Sequence, residues 1–261
     1  MELTVALTVA GTDSAGGAGI VADAKTFTAH GVWAAVAVTA VTAQDTTGVH
    51  AVHVLPPALV VAQIECVRAD LNVKAAKTGM LAAAATVVAV AEALQGLPLV
   101  VDPVLEATHG QPLLAGANAA ELVVELLVPM ATVVTPNLAE AAALVSGEVR
   151  DRPAMEEAAR QLVARGARAA LVTGGHLDDG AAADCLVLGG IKEARWLEGP
   201  RVDQPHTHGS GCVLSAAITA NLARGDDIES ACRKAKVWTA GAIAAGRAMG
   251  RGTGPVDPAW S

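Results

Sequence analysis

The chain has 261 residues, 52% of them hydrophobic, and a formal net charge of −8. It contains no Tyr and a single Phe, so its core must be built from Ala, Val and Leu. The excess of acidic residues argues against a surface that binds nucleic acid or an anionic membrane. An anionic substrate would therefore need a local binding device rather than a basic face.

Apolar runs alternate with helical patterns through the first part of the chain. The predicted elements, in chain order, are a strand over Thr4–Ala10, a glycine-rich loop over Gly11–Gly19, a helix over Ile20–Ala29, strands over Val32–Thr42 and Val49–Leu55, a helix from Pro56 to Arg68, an extended segment over Val73–Lys77, a helix over Ala83–Leu94 and a short strand over Leu99–Val101.

The same alternation continues to the end of the chain. It predicts a helix over Ala117–Leu127, an extended segment over Thr132–Thr135, helices over Asn137–Leu144 and Met155–Ala164, a strand over Ala169–Thr173, a hairpin of Cys185–Leu188 and Ala194–Glu198, and helices over Val213–Ala223 and Ile228–Ala248. Such alternation predicts an α/β fold, with a mostly parallel central sheet and helices on both faces. No linker or repeat divides the sequence, so residues 1–261 are expected to form a single domain.

Polar residues follow most of the predicted strands. In a parallel sheet, ligands bind outside the carboxyl ends of the strands. We therefore expect one edge of the sheet to collect these residues, which are Asp13, Gln44, Lys77 to Gly79, Asp102, Thr135 to Asn137, and Thr173 to Gly175.

The segment Thr207–Cys212, with the sequence Thr-His-Gly-Ser-Gly-Cys, precedes the helical run that starts at Val213. Small residues at a helix start leave backbone N–H groups pointing outward, with the helix dipole behind them. This arrangement predicts a site for an anion such as a phosphate. Cys212 lies within the site, where a helix N-terminus is expected to lower the pKa of its thiol toward neutrality. The sequence thus pairs an anion site with a group able to accept a proton.

The other three cysteines are far apart and form no C-x-x-C motif, so neither zinc nor disulfides are indicated, and reduced cytosolic thiols are expected. The apolar run over Leu3–Ala10 is too short for a signal peptide and follows Glu2, and Thr26–Gln44 is interrupted by polar residues. We therefore predict neither a signal peptide nor a transmembrane segment.

Several residues have a structural interpretation beside a functional one. Asn137 and Glu140, three apart on one helix, fit a capping box, and Glu140 together with Asp102 also fits a water-mediated Mg²⁺ site. These two interpretations are compatible. Met80 is either a core residue or part of a pocket for a flat ring, and Asp23 is either a partner of the helix dipole or a pocket residue.

The glycine-rich loop Gly11–Gly19 lacks the G-x-G-x-x-G spacing, and the chain contains no G-x-x-x-x-G-K-[ST] motif. A Rossmann dinucleotide site and a P-loop are therefore not indicated. The loop by itself fits either a tight turn or a substrate contact. His208 lies just before a helix N-terminus, which disfavours imidazolium, so positioning is the favoured role over catalysis.

Taken together, the motifs resemble the ribokinase-like superfamily and, within it, the hydroxymethylpyrimidine/phosphomethylpyrimidine kinases of thiamin biosynthesis. They occur in the family's order over nearly the whole chain. The matching segments are Ala10–Ile20, Ala22–Phe27, Thr39–Gln44, Lys77–Leu81, Asp102–Val104, Thr135–Ala141, Gly174–His176 and Thr207–Cys212. The resemblance implies a three-layer sandwich and a cysteine, Cys212, where most sugar kinases of the superfamily carry Asp.

On the acceptor side, the resemblance implies that Gln44 recognises the edge of an aminopyrimidine. The residues that would shape its pocket are Gly11, Asp23 and Met80. Cys212 would be the base, and the residues that would hold the transferring phosphoryl group are Gly209, Ser210 and Gly211. Ser210 stands where the family more often has Thr, which keeps the hydroxyl.

On the nucleotide side, the resemblance implies ATP and Mg²⁺ near Asn137 and Glu140, with Thr173 and His208 assigned to the same cofactor side. The family often has Lys at the position of Thr173, where it would meet the ATP phosphates. The segment 106–112 resembles a flexible flap over the site.

The expected reaction is transfer of the ATP γ-phosphoryl to the pyrimidine's hydroxymethyl group, followed by a second transfer that gives the pyrophosphate. Two alternatives remain open at this point: a pyridoxal or pyridoxine kinase, and a non-catalytic ligand-binding regulatory protein on the same fold. The family also implies a homodimer, while the charge and the cysteines predict a cytoplasmic protein with no nucleic-acid or membrane partner.

Overall fold

The computed structural model describes residues 3–105, 113–114, 118–175, 177 and 182–260. An eight-stranded sheet forms the centre, with the strand order β10-β9-β8-β7-β6-β5-β1-β2, and β3 pairs with β4 in a separate small sheet. The strands are β1 Val5–Ala10, β2 Trp33–Val38, β3 Ala40–Asp45, β4 Gly48–Val54, β5 Val73–Thr78, β6 Leu99–Val101, β7 Val133–Val134, β8 Ala169–Val172, β9 Asp184–Leu188 and β10 Arg195–Leu197.

The helices alternate with these strands, as predicted. They are α1 Gly19–Ala29, α2 Pro57–Asp70, α3 Ala84–Ala93, α4 Ala119–Leu122, α5 Leu138–Val145, α6 Arg152–Ala164, α7 Ser210–Ala223 and α8 Ile228–Ala244. Within the described residues, no helix is both long and apolar enough to cross a membrane.

The large sheet is parallel from β2 through β8, and β9 runs antiparallel to both of its neighbours. All six residues of β1 are buried, which is typical of a parallel strand that has helices on both faces. The hairpin of β9 and β10 confirms the antiparallel pair predicted near the end of the chain.

Helices cover both faces of the sheet and so make three layers. On one face, α2, α3, α5 and α6 pack their apolar side chains, among them Ile64, Val90 and Leu162, against the strands. On the other face, α1, α7 and α8 do the same with residues such as Phe27 and Ile218. The two layers bury the strands between Ala-, Val- and Leu-rich surfaces, as the composition requires.

The prediction of one strand over Val32–Thr42 was wrong. The chain leaves the large sheet at Thr39, which separates β2 from β3. The N–H of Thr39 donates to the carbonyl of Ala10 (3.0 Å), and its hydroxyl donates to the carbonyl of Met80 (2.6 Å). The chain changes direction at this buried threonine, and β3 then pairs antiparallel with β4 in the separate small sheet.

Two helix boundaries also differ from prediction. After α4, the chain continues through a π-helical turn over Val123–Leu127 and a 3₁₀ turn over Val128–Met130, where Pro129 removes a helical donor. The last helix ends at Ala244 rather than Ala248, because the backbone that follows pairs with the C-terminal segment: the N–H of Arg247 donates to the carbonyl of Pro255 (2.8 Å).

Candidate active site

The carboxyl ends of the parallel strands bring the predicted polar residues to one edge of the sheet. The N–H of Asp102 donates to the carbonyl of Thr78 (3.1 Å), which joins the ends of β5 and β6. Asn137 and Thr173 form an isolated parallel bridge beyond β7 and β8. The expectation of a shared edge is therefore confirmed for these strands.

The start of α7 is built by close backbone approach. Gly209 precedes the helix with φ +82°, and a Cβ there would lie 1.9 Å from the carbonyl oxygen of Gly17. Only glycine fits this position. The first turn of α7, which includes Ser210, Gly211 and Cys212, thus lies against the glycine-rich loop with its N–H groups at the helix start, where they lack intrahelical acceptors.

The glycine-rich loop is organised by Asp13, which the sequence placed at the edge of the sheet without a specific role. Its Oδ1 accepts from the N–H of Ala15 (2.9 Å), and its Oδ2 accepts from the N–H groups of Gly17 (3.0 Å) and Ala18 (2.9 Å) and lies 3.0 Å from His208 Nε2. Burial tends to raise the pKa of this carboxyl, but the bonds from His208, Ala15 and Gly17 outweigh it and lower the pKa. Asp13 is therefore an anion that ties the loop to the segment before α7.

The lowered pKa of Asp13 predicts an acid-dependent loss of stability. A carboxyl whose pKa is lowered by folding stabilises the fold fully above its pKa in the unfolded chain, about 3.9. This contribution is lost as the pH falls through its pKa in the folded state. We expect Asp13→Asn to lower the free energy of unfolding at pH 7 by about 2 kcal/mol, because charge-assisted bonds are replaced by weaker ones.

Urea unfolding at pH 7 and at about pH 3 measures this effect. The difference in unfolding free energy between wild type and Asp13→Asn should narrow at the lower pH, because the unfolded carboxyl there takes up a proton that the folded Asp13, with its lowered pKa, binds less readily. Asp203→Asn, at an exposed aspartate, is the matched control and should behave as wild type at both values. A gap that widens on acidification contradicts the prediction.

A buried ion pair lies below the predicted phosphate site. Lys77 is fully buried, and its Nζ lies 2.8 Å from Asp23 Oδ1 and 3.6 Å from Asp102 Oδ2. The hydroxyl of Thr8 donates to the other oxygen of Asp23 (2.6 Å), and the hydroxyl of Ser215 donates to Asp102 (2.8 Å). Burial disfavours the ammonium, but the carboxylates of Asp23 and Asp102 outweigh it and raise the pKa of Lys77.

The placement of Asp23 corrects its predicted role. The residue is wholly buried and binds Lys77 and Thr8, so it lines no open surface of a substrate pocket in this structure. Its position 54 residues from Lys77 gave no sequence signal of pairing. Asp23 shapes the site indirectly, by fixing the lysine beneath it.

The expectation for the thiol of Cys212 was wrong. Burial raises its pKa to about 12, and the nearby carboxylates of Asp23 and Asp102 act in the same direction. Lys77 and the backbone N–H of Gly19 act in the opposite direction, but they do not outweigh the burial. The helix dipole therefore does not give a thiolate at neutral pH at this half-buried thiol, which lies beside two carboxylates.

The predicted acceptor-side residues lie around the glycine-rich loop and β3. A Cβ on Gly11 would lie 3.0 Å from Met80 Sδ, so these two residues are in contact. Met80 is buried in a small apolar cluster with Ala40 and Ala82. Gln44 is half-buried on β3, and its Nε2 lies 3.4 Å from His208 Nε2.

The predicted nucleotide-side residues lie beyond β7 and β8. The side chain of Asn137 accepts from the N–H of Glu140 (3.0 Å), and Glu140 accepts from the N–H of Asn137 (2.9 Å), which confirms the capping box. The N–H of Thr173 donates to the carbonyl of Pro136 (2.9 Å). The next N–H, that of Gly174, donates to the buried carboxylate of Asp184 (3.0 Å), an anchor that the sequence analysis missed.

His208, assigned to the nucleotide side by the resemblance, lies beside residues of the acceptor side. Its ring contacts Asp13 and Gln44, which are residues of the glycine-rich loop and of β3. The predicted flap over 106–112 and His176 of the Gly174–His176 motif lie outside the described residues.

The metal assignment was tested against the chemistry of the donor set. Among the residues that the structure describes, no group of three or more His, Cys, Asp or Glu side chains is arranged to hold a metal ion. Mg²⁺ bound with nucleotides keeps several waters and takes one or two carboxylates plus phosphate oxygens. Asp102 follows β6 and Glu140 lies in the first turn of α5, so each could supply one carboxylate of this kind.

Comparison with known proteins gives a consistent result. A family model described as phosphomethylpyrimidine kinase matches residues 13–257. A hydroxymethylpyrimidine/phosphomethylpyrimidine kinase of Streptomyces coelicolor is 48% identical over 98% of this chain and 94% of its own length. The enzyme of the same description from Rhizobium meliloti is 46% identical over 97% and 96% of the two chains.

Solved structures share the fold. The ADP complex of Bacillus subtilis pyridoxal kinase superposes with a TM-score of 0.90 at 35% identity, covering 98% of this chain and 97% of that one. A phosphomethylpyrimidine kinase from Clostridium difficile gives a TM-score of 0.79 at 36% identity, covering 92% and 99%. The predicted ribokinase-like sandwich is thus confirmed. Because the family model spans nearly the whole chain and the relatives match it from end to end, the chain belongs to the phosphomethylpyrimidine kinase family.

Proposed function

We propose that the protein transfers the γ-phosphoryl group of ATP to 4-amino-5-hydroxymethyl-2-methylpyrimidine and then phosphorylates the monophosphate to the pyrophosphate, in thiamin biosynthesis. The observation that carries the proposal is the packing of the first turn of α7 against the glycine-rich loop, with Cys212 in that turn. The near full-length relatives named for both phosphorylations support it.

Phosphoryl transfer depends mainly on positioning and on neutralising charge at the equatorial oxygens. The N–H groups of Gly209, Ser210 and Gly211, at the positive end of the α7 dipole, are proposed to hold the phosphoryl group as it moves. Cys212 is proposed to take the proton of the acceptor alcohol in the first transfer. In the second transfer the acceptor is already an anionic oxygen, so no proton has to be removed.

The nucleotide is proposed to lie at the ends of β7 and β8, near Asn137, Glu140 and Thr173. Use of ATP is supported by family membership and by the structure of Staphylococcus aureus pyridoxal kinase in complex with AMP-PCP and pyridoxal, with a TM-score of 0.89 at 34% identity. Mg²⁺ is proposed to be held through water by Glu140 and Asp102. When bound, it supplies positive charge next to the phosphates.

A coupled assay of ATP consumption tests the proposal. Wild type should consume ATP with the hydroxymethylpyrimidine and then with its monophosphate, and far less with pyridoxal. The similarity to pyridoxal kinases at a TM-score of 0.90 is what favours the second candidate, which faster turnover of pyridoxal would establish. No turnover of any of these three substrates would favour a non-catalytic binding protein.

The role of Gln44 is tested by kinetics. Gln44→Ala removes the hydrogen bonds of a half-buried carboxamide, so we expect KM for the pyrimidine to rise about 10- to 100-fold. KM for ATP should stay within about twofold of wild type. Gln95→Ala, at an exposed glutamine, is the control. An unchanged KM for the pyrimidine would mean that the ring is recognised elsewhere.

Three further properties belong to the proposal. The chain is proposed to act as one domain, because one sheet includes strands from residue 5 to residue 197 and the last two helices pack on it. It is proposed to be cytoplasmic and to form a homodimer. Exposed apolar side chains on the edge strand and the small sheet support the dimer: Trp33 is 58% exposed, Val41 49% and Val52 43%. Sedimentation measures the mass.

A further inference from the structure

The carboxamide of Gln44 lies between two fixed polar side chains. Its Nε2 lies 3.4 Å from His208 Nε2, and its Oε1 lies 3.5 Å from the hydroxyl of Thr42. Thr42 is buried and His208 nearly so, at 4% and 9% exposure. The oxygen and nitrogen of a carboxamide are nearly indistinguishable by shape. The hydrogen-bonding groups next to them therefore decide whether the oxygen or the nitrogen of Gln44 faces His208.

The Asp13 carboxylate fixes the proton on His208. Asp13 Oδ2 lies 3.0 Å from His208 Nε2, and the lowered pKa of Asp13 keeps it ionised at neutral pH. A carboxylate only accepts hydrogen bonds, so His208 Nε2 must carry a hydrogen and donate it. If the amide nitrogen of Gln44 faced His208 Nε2, two N–H donors would point at each other. The amide oxygen in that place would instead accept part of a bifurcated hydrogen bond from His208 Nε2–H.

The hydroxyl of Thr42 leads independently to the same orientation. It donates its single hydrogen to the backbone carbonyl of Thr12 (2.8 Å). Toward Gln44 it has only a lone pair left, so it accepts from an amide N–H and cannot donate to an amide oxygen. Both neighbours of Gln44 therefore favour the same orientation of the carboxamide, with its oxygen toward His208 and its nitrogen toward Thr42.

We infer that His208 and Thr42 are positioning residues that determine substrate specificity, because they lock the Gln44 carboxamide with its oxygen toward His208 and its nitrogen toward Thr42. This inference rests on the proposed recognition of the pyrimidine by Gln44. The locked amide keeps one acceptor lone pair and one N–H for a ligand. An amino group next to a ring nitrogen offers the complementary donor and acceptor, as the adenine edge does to Asn and Gln.

The same arrangement separates the two classes of flat alcohol. A 4-aminopyrimidine carries that donor–acceptor pair, and pyridoxal has no amino group beside its ring nitrogen. Binding pyridoxal would leave the fixed donor or acceptor of Gln44 without a partner, and a site built around such groups strongly rejects ligands that lack the match. Specificity is thus set by residues that need not touch the ring.

The backbone holds His208 in place. Its N–H donates to the carbonyl of Gly254 (3.2 Å), and its carbonyl accepts from the N–H of Val256 (3.0 Å). The same C-terminal segment reaches the turn between β3 and β4, where the hydroxyl of Thr46 accepts from the N–H groups of Arg251 and Gly252 (3.1 Å each). One segment therefore fixes both the histidine and the hairpin that carries Gln44.

A double-mutant cycle tests whether His208 acts through Gln44. We expect His208→Phe, which keeps a ring but removes the donor, to raise KM for the aminopyrimidine about tenfold, with KM for ATP and kcat within about twofold. Combined with Gln44→Ala, it should add less than about twofold to the effect of Gln44→Ala alone. His53→Phe, at an exposed histidine on β4, is the matched control and should leave both KM values unchanged.

A substrate analogue that lacks the 4-amino group adds a second measurement. Wild type should prefer the aminopyrimidine by at least about tenfold, and His208→Phe should lose most of that preference. Thr42→Val should reduce the preference in the same way, and Thr42→Ser should restore it, so the inference stays testable if His208→Phe does not fold.

Multiplicative effects of His208→Phe and Gln44→Ala, with an unchanged preference for the amino group, would overturn the inference while wild type still phosphorylates the pyrimidine. If wild type does not phosphorylate the pyrimidine at all, the proposed function itself fails. The two failures are therefore distinguishable in one set of assays.

Discussion

Replacing Cys212 with alanine is expected to slow the first phosphorylation by about 10²- to 10⁴-fold, the usual contribution of a general base. The second phosphorylation should slow by less than about tenfold, because its acceptor is an anionic phosphate oxygen that has no proton to lose. Steady-state assays with the alcohol and with its monophosphate as separate substrates measure the two effects. Equal losses in both steps would rule out a base that acts only on the alcohol.

The raised pKa of Cys212 adds a pH dependence with a definite sign. With a pKa of about 12 in the free enzyme, the thiol is protonated at neutral pH, and the thiolate fraction grows about tenfold per pH unit. We expect kcat/KM for the first phosphorylation, which reports on the free enzyme, to rise without a plateau from about pH 6 to 9. The rise should disappear in Cys212→Ala.

Cys66→Ala, at an exposed cysteine on α2, is the matched control and should keep both the rates and the slope of wild type. A plateau below about pH 8 in wild type would contradict the raised pKa. It would show that the helix N-terminus lowers the pKa after all, as the sequence had suggested.

Prediction from sequence succeeded where a pattern is local. Parallel strands follow from the alternation of apolar runs and helices, and the capping box of Asn137 and Glu140 follows from a spacing of three. These features depend on neighbouring residues along the chain. The shared edge of the sheet then follows from topology alone, which is why Asp102 and Thr173 were correctly placed there.

Prediction failed where burial or distant contacts decide. The helix dipole at Cys212 is visible in the sequence, but its thiol pKa is raised by burial and by the carboxylates of Asp23 and Asp102, which are far away in the chain. The pairing of Asp23 with Lys77, and the contact of His208 with Asp13 across 195 positions, likewise have no local signature. The break at Thr39 depends on a carbonyl of Met80, 41 residues later.

The second large effect is expected from Lys77→Met, which should lower the free energy of unfolding at pH 7 by about 3–5 kcal/mol. Lys77 and Asp23 are both fully buried, and removing the ammonium leaves a carboxylate without its counter-ion. The total free energy of unfolding of a native protein is about 5–15 kcal/mol, so the variant would lose a large part of its stability. Guanidinium unfolding monitored by tryptophan fluorescence measures the change.

Lys74→Met, on the exposed side of the same strand, is the control and should change stability by less than about 0.5 kcal/mol. The double variant Lys77→Met/Asp23→Leu removes the two fully buried charges and leaves Asp102 hydrogen-bonded to Ser215. It should recover most of the loss, because a buried pair contributes little beyond an apolar replacement. A double variant as unstable as Lys77→Met would show that the cost comes from packing rather than from the unpaired charge.

The pH dependence of Lys77→Met distinguishes an unpaired carboxylate from a cavity. Burial already raises the pKa of Asp23 with Lys77 present, and removing Lys77 should raise this pKa further, so that the native state of the variant holds a proton to higher pH than the unfolded state does. The stability of the variant relative to wild type should therefore fall as the pH rises from about 4 toward 8. A cavity has no titrating group and would give a constant difference, so a pH-independent loss would contradict the charge explanation.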